Sequence, residues 1–218
     1  MTRRTRLLST AVAGTTAAIL LTGCGGGDSG SKGNDKIAGA DTGKSASPSP
    51  STTASASASR PKVELPSDVT LVFEETKTGD PVKDVVLADN AERMRAVDAA
   101  ITGTDPKGEA LAFYNTGKAR EAALSWVGQF KAAGVTITGK ARYYDRKVTL
   151  RTKTSAALTF CADETKGYSK DKKTNKINKT SPSKDDYVFY NTRLDKNADG
   201  VWQTSQIIST RGAAQCQQ

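Results

Sequence analysis

The sequence predicts an α+β fold: helices first, then an antiparallel sheet that they cover on one face, with an unstructured linker ahead of both. Three observations carry this. Between Pro81 and Ala133, apolar residues recur at the three- and four-residue spacing of helices. After Gly134 the spacing changes to alternation, which is the pattern of half-buried strands. Between Gly25 and Arg60 there is almost no large apolar side chain (Ile37 is the exception), so that stretch cannot offset its own ordering entropy.

Val69-Thr70-Leu71-Val72-Phe73 is β-branched and aromatic and reads as a short strand. Thr78-Gly79-Asp80-Pro81 turns the chain into a helix. Asp80 is placed to cap the free amides, and Pro81 occupies the first helical position, where a missing N–H costs nothing. Leu87, Ala91, Met94, Val97 and Ile101 form the apolar stripe of that helix, while Glu92, Arg93, Arg95 and Asp98 fall mainly elsewhere on the wheel. Gly103 and Pro106 end it. A short helix over 109–115 carries Leu111, Phe113 and Tyr114, and Gly117 breaks it. A third helix over 118–133 aligns Ala123, Trp126 and Phe130, with Gly134 as the stop. Strands follow at 135–138, 147–151, 157–161, 187–194 and 201–208. The lysine-dense stretch 167–184 reads as an exposed hairpin or loop, and Asn197-Ala198-Asp199-Gly200 as a turn.

The N-terminus is of a different kind. Arg3, Arg4 and Arg6 form a cationic head, residues 7–21 carry no charge, and Thr22 and Gly23 lead to Cys24. A cationic head before a short apolar core is a secretory signal, too short and wrongly flanked for a membrane span. Leu21-Thr22-Gly23-Cys24 resembles the lipobox of bacterial lipoproteins, in which the cysteine thiol takes a diacylglyceryl group and a signal peptidase cuts just before it. The resemblance implies a signal peptide over 1–23 and lipidation of Cys24, with palmitate among the acyl chains. It places the protein on the extracytoplasmic face of the bacterial cell membrane. More than one chain is what stable anchoring requires, at about 0.8 kcal/mol per buried CH₂. Thr2-Arg3-Arg4 leaves Sec and twin-arginine export both open. Residues 24–61, rich in Gly, Ser, Ala and Pro, then form a disordered tether with an average reach of about 35 Å, and residues 62–218 form the domain.

The chain carries a formal charge of +9. Without the three leader arginines, 29 basic residues face 23 acidic ones, a balance of +6. That excess favours anionic neighbours such as lipid headgroups or cell-wall polymers. Lys166, Lys170, Lys172, Lys173 and Lys176 are the cluster placed to meet them, and the alternative for such a run is a solvated hairpin. No nucleic-acid-binding motif is present. Outside the membrane a disulfide persists, and Cys161 and Cys216 are the pair left once Cys24 is lipidated; two buried free thiols are the alternative.

The absence of histidine removes Ser-His-Asp and Cys-His catalysis, and no carboxylate and cysteine set suits zinc. Asp195-Lys196-Asn197-Ala198-Asp199-Gly200 matches the opening half of a calcium loop. The twelfth position is Gln206 rather than glutamate, so a hairpin turn is the better reading, and neither metal nor cofactor is expected. The order helix, short helix, helix, then strands resembles the NTF2-like (SnoaL-like, ketosteroid-isomerase-like) cone fold. Arg142-Tyr143-Tyr144-Asp145-Arg146-Lys147-Val148-Thr149-Leu150, Phe160-Cys161-Ala162-Asp163 and Asp199-Gly200-Val201-Trp202-Gln203-Thr204 are similar to stretches of actinobacterial lipoproteins. The resemblance spans about Val63 to Cys216 and implies a curved sheet closing over the helices. The isomerase branch of that fold uses a carboxylate base and a tyrosine donor inside the cone, roles for which Asp163 with Tyr143, Tyr144 or Tyr190 are available. Trp126 and Trp202 belong either to a pocket between helix and sheet or to the core. The expected pocket set is Trp126, Tyr144, Asp163 and Tyr190, with no residue assigned as catalytic. Two functions follow: a non-catalytic binding or assembly module, or a small-molecule enzyme using a carboxylate and a tyrosine. The second requires an enclosed pocket holding an isolated carboxylate of raised pKa; the first requires a filled or shallow cone.

Overall fold

A computed structural model describes residues 59–217. Cys24, the expected signal peptide and the tether up to residue 58 lie outside the described residues. None of the described helices is long and apolar enough to cross a membrane.

The longest helix, α1 (Pro81–Thr102), starts as its sequence dictates, with Asp80 Oδ1 accepting from the amides of Val82 (2.8 Å) and Lys83 (3.3 Å). Gly103 ends it in the left-handed conformation at φ 91°. Helix α2 spans Glu109–Tyr114 and α3 spans Gly117–Ala133. Of the polar residues placed off the apolar stripe of α1, Glu92, Arg95 and Asp98 are half-buried and Arg93 is buried. Asp89 and Asn90 are buried as well, together with Val86, Leu87, Met94 and Val97. The helix lies in the curl of the sheet, contacting β2 and β6 as well as α2 and α3, so it has little solvent side to offer.

Six strands form one sheet: β1 (Val69–Phe73), β2 (Val135–Leu150), β3 (Ser155–Asp171), β4 (Ile177–Asn178), β5 (Tyr187–Lys196) and β6 (Trp202–Arg211). Their order is β1-β2-β3-β5-β6, with β4 pairing the far end of β3. The sheet is mixed rather than antiparallel throughout, because β1 pairs parallel to β2. The three helices are the crossover between those two strands, and a crossover of that length is what a parallel pair needs.

Strands expected at 135–138 and 147–151 are one strand, β2, and the strand expected at 157–161 runs on to Asp171. Glycine and bulges, which read as interruptions in a sequence, here bend a continuous ribbon. Gly139 has φ +96°, and a Cβ there would collide with the carbonyl oxygen of Lys166 on β3. Farther along β2, Asp145 (φ 50°) and Arg146 form a bulge between the Tyr144–Cys161 and Lys147–Thr159 pairs. The register shifts again between Lys140 and Arg142 on the β3 side, and between Arg193 and Leu194 where β5 meets β6.

Val86, Leu87 and Met94 of α1 pack against Tyr143, Leu158, Phe160, Val188, Leu194 and Trp202 of the sheet to form the main core. Trp202 is core, at 1% exposure. Asp89, equally buried, ties three segments together: it accepts from Arg60 Nε (2.7 Å), Arg60 Nη2 (3.0 Å) and the Trp202 amide (2.9 Å). Packed structure therefore includes Arg60. Cys161 and Cys216 are joined by a disulfide, which holds the turn Ala214–Cys216 on the outer face of the sheet, where Tyr144 Oη donates to the Cys216 carbonyl.

Two outcomes are expected. The bridge closes a loop of 55 residues, and on the chain-entropy account that loop is worth about 4 kcal/mol. Reduction, or Cys216→Ser, should lower the urea midpoint accordingly, measured by near-ultraviolet circular dichroism. Gly139→Ala should cost roughly 2–4 kcal/mol, because both the positive φ and the Lys166 carbonyl oppose a side chain. Gly128→Ala, where nothing stands within 4 Å, serves as the tolerated control.

Candidate functional site: a cavity inside the cone

The bulges decide which side chains look inward. On β3 the inward positions are even-numbered up to Glu164 and odd from Gly167; on β6 they are Trp202 and Thr204, then Ile207, Ser209 and Arg211. The wide end of the cone is thereby left unfilled. Between α1, α3 and the sheet lies a cavity of about 530 Å³, with Met94, Val97, Ile101, Phe130, Val188 and Ile207 among its apolar walls. Trp126, 42% exposed, stands at its edge on α3.

Among the polar side chains that line this space are Arg93 and Asp98 from α1, Tyr143 from β2 and Tyr190 from β5. Among the described residues, no hydrogen bond or ion pair engages the Asp98 carboxyl, which is half-buried and lines the cavity. Burial raises its pKa to about 7; the nearby charge of Glu164 pushes the same way, and Arg93 only partly opposes them. The phenols of Tyr143 and Tyr190 are likewise raised by burial. After burial, Asp98 adds most to the Tyr143 shift and Glu164 most to that of Tyr190, so both stay protonated donors. Arg93 is 5% exposed, and burial lowers its pKa from the usual arginine value. Its Nε donates to Asn115 Oδ1 at 2.8 Å, and its Nη1 meets only the sulfur of Met94 at 3.1 Å. At the rim, Arg211 Nη2 pairs with Glu164 at 2.7 Å; burial pulls the guanidinium down, but the carboxylate outweighs it and the pKa ends up raised. The site can therefore hold a proton on a carboxyl near neutrality and offer two phenol donors beside it.

Of the residues expected here, Trp126 and Tyr190 line the cavity and Tyr144 and Asp163 do not. Tyr144 packs with the disulfide under the C-terminal turn. Asp163 accepts from Thr165 N (3.0 Å) and Thr165 Oγ1 (2.7 Å) and stands 3.8 Å from Arg142. Their next-door neighbours Tyr143 and Glu164 hold the inward places. Asp98 and Arg93 escaped the sequence reading. A signal existed: Asp98 lies four residues after Met94 and three before Ile101, so it borders the apolar stripe.

The lysine cluster divides. Lys170 pairs with Asp68, and Lys172 Nζ donates to the Ile101 carbonyl (3.3 Å), the end of α1. Lys166, Lys173 and Lys176 are exposed. Asp195 is engaged by Ser205 (2.6 Å) and Arg193 (3.1 Å) beside a tight β5–β6 turn.

Three helices held inside a curled, mixed, six-stranded sheet are the NTF2-like cone fold. Solved structures similar to this chain include a ketosteroid isomerase-like protein from Erwinia carotovora atroseptica, at 16% identity over 61% of this chain and 97% of that one, with a TM-score of 0.40. Aln2 from a Streptomyces species is 14% identical over 62% and 94%, with a TM-score of 0.43. ActVI-ORFA from Streptomyces coelicolor is 15% identical over 62% and 96%, with a TM-score of 0.41. No family model and no curated protein matches the sequence.

The Asp98 shift has a stability consequence of definite sign. Its folded pKa is raised, so between the ordinary carboxylate range and about 7 the folded state binds the extra proton. Stability should fall as pH rises through that window and level off above it. Asp98→Asn should remove this slope, as read from thermal midpoints across pH 4 to 8.

Proposed function

We propose that this chain is a lipid-tethered module outside the cell membrane whose cone binds a small, largely apolar molecule, with Asp98 as the group that exchanges a proton with it. The observation that supports the reading best is a cavity of about 530 Å³ containing a carboxyl raised to about 7 that no partner holds among the described residues. Volumes of roughly 300–1,000 Å³ suit drug-sized ligands, and few convergent polar groups in an apolar wall are what orients them. A carboxyl near neutrality is matched to general acid–base work, with Tyr143 and Tyr190 beside it to donate to an oxygen that gains charge. Binding without turnover uses the same walls, with Asp98 as hydrogen-bond partner only. The placement rests on sequence: Arg3, Arg4 and Arg6, the uncharged core, and Cys24. Lys166, Lys173 and Lys176, exposed on the β3–β4 hairpin, suit an anionic surface such as lipid headgroups or wall polymer.

Two measurements test this. Cys24→Ala should release the protein from membranes or leave an unprocessed precursor; unchanged membrane retention would refute the anchor. Native mass spectrometry of the membrane-purified protein should find a bound small molecule that is absent from Ala123→Phe, which fills the cavity wall. Equal loading of both proteins would remove the cavity as the binding site.

A further inference from the structure

Resting on the pocket reading above, we infer that the ligand carries an anionic oxygen head group, a carboxylate or its equivalent, which pairs with Arg93 on the α1 wall while its apolar body lies along Val97, Ile101 and Phe130 toward Trp126. Arg93 is nineteen-twentieths buried, lines the cavity and has no carboxylate in ion-pair contact among the described residues. Its only side-chain partners there are a neutral amide oxygen and a thioether sulfur. A buried cation without a counter-charge is costly, and the cost falls when an anion arrives in the same dry space. Asp89, one turn away on the same helix, shows the opposite arrangement: a buried charge answered by Arg60. Among the described residues, none answers Arg93 in that way.

The charges around the cavity agree. Arg93 on α1, Lys140 on β2 and Arg211 on β6 are the cationic lining groups; Glu164 on β3 and Asp186, just before β5, are the acids besides Asp98. Helix α3 adds no charged group to the lining. With Asp98 protonated, three cations face two carboxylates, and one pair, Arg211 with Glu164, is already satisfied at the rim. The phenols that feel the Asp98 charge are Tyr143 and Tyr190, and burial keeps both protonated; Tyr168 of β3 also borders the cavity. A protonated Asp98 can donate a second hydrogen bond to the bound anion. Once ionised it repels the anion, so binding should weaken across the Asp98 titration near 7.

The experiment uses the mature chain from residue 24 to 218 with Cys24→Ser, so that no acyl chain competes, and three probes of one length: decanoate, decan-1-ol and decylamine. Binding is read by calorimetry at pH 6 and pH 8. Decanoate should bind about tenfold or more tightly than decan-1-ol at pH 6, the gain expected of a hydrogen bond to a charged group. That margin should shrink at pH 8, where decanoate itself is unchanged in charge. Asp98→Asn should hold decanoate equally at both pH values. Arg93→Met should lose the margin and leave decan-1-ol binding intact; should that variant fail to fold, the Asp98→Asn pH comparison carries the test alone. Equal binding of decanoate and decan-1-ol, or preference for decylamine, would overturn the anionic head group and leave the pocket standing. Failure of all three probes to bind would count against the pocket itself.

Discussion

A long sheet must bend around a helix here, and nearly everything else follows from that bend. Strands β2 and β3 run 16 and 17 residues, long enough to twist out of reach of α1 if they stayed regular. At Gly139 the two backbones approach so closely that no side chain fits, and the bulges at Asp145–Arg146 and opposite Ala141 add local twist. The ribbon closes as a cone over α1. Its narrow end is packed by Phe160, Leu158 and Trp202. The wide end, beyond the reach of those side chains, stays open.

Two aspartates on α1 show how the same helix serves structure and site. Asp89 meets the Arg60 guanidinium and the Trp202 amide, so its burial is offset and it joins the N-terminal segment to the last strand. Asp98, some two and a half turns later, faces the unfilled end and has no such partner among the described residues, so burial acts on it largely unopposed and lifts its pKa. The difference is not in the residue type. It lies in what the sheet brings opposite each one.

The sequence made most element ends readable, because Asp80, Pro81, Gly103 and Gly134 act locally on backbone amides and dihedral angles. The cysteine bridge was readable too, since two cysteines remained once Cys24 was set aside. Inside the sheet, reading failed by one residue at a time. Tyr144 and Asp163 were the expected pocket groups, and Tyr143 and Glu164 occupy the places. A strand's side chains alternate with a period of two, so one inserted residue exchanges the inner and outer sets. No local cue in Asp145-Arg146 or Glu164-Thr165 announces such an insertion. The parallel pairing of β1 escaped for a related reason: pairing direction depends on where the three-helix crossover returns the chain.

By itself the sequence determined the order of helices and strands, the helix caps and a chemistry without histidine. All of these are set by neighbours within a few positions, where propensity and spacing act directly. Only the tertiary structure decided that Arg93, Asp98, Tyr143 and Tyr190 share one cavity, because residues 93 and 190 meet only after a sheet has curled by bulges. The burial that sets their protonation is likewise a property of the closed cone, which no stretch of the chain possesses alone.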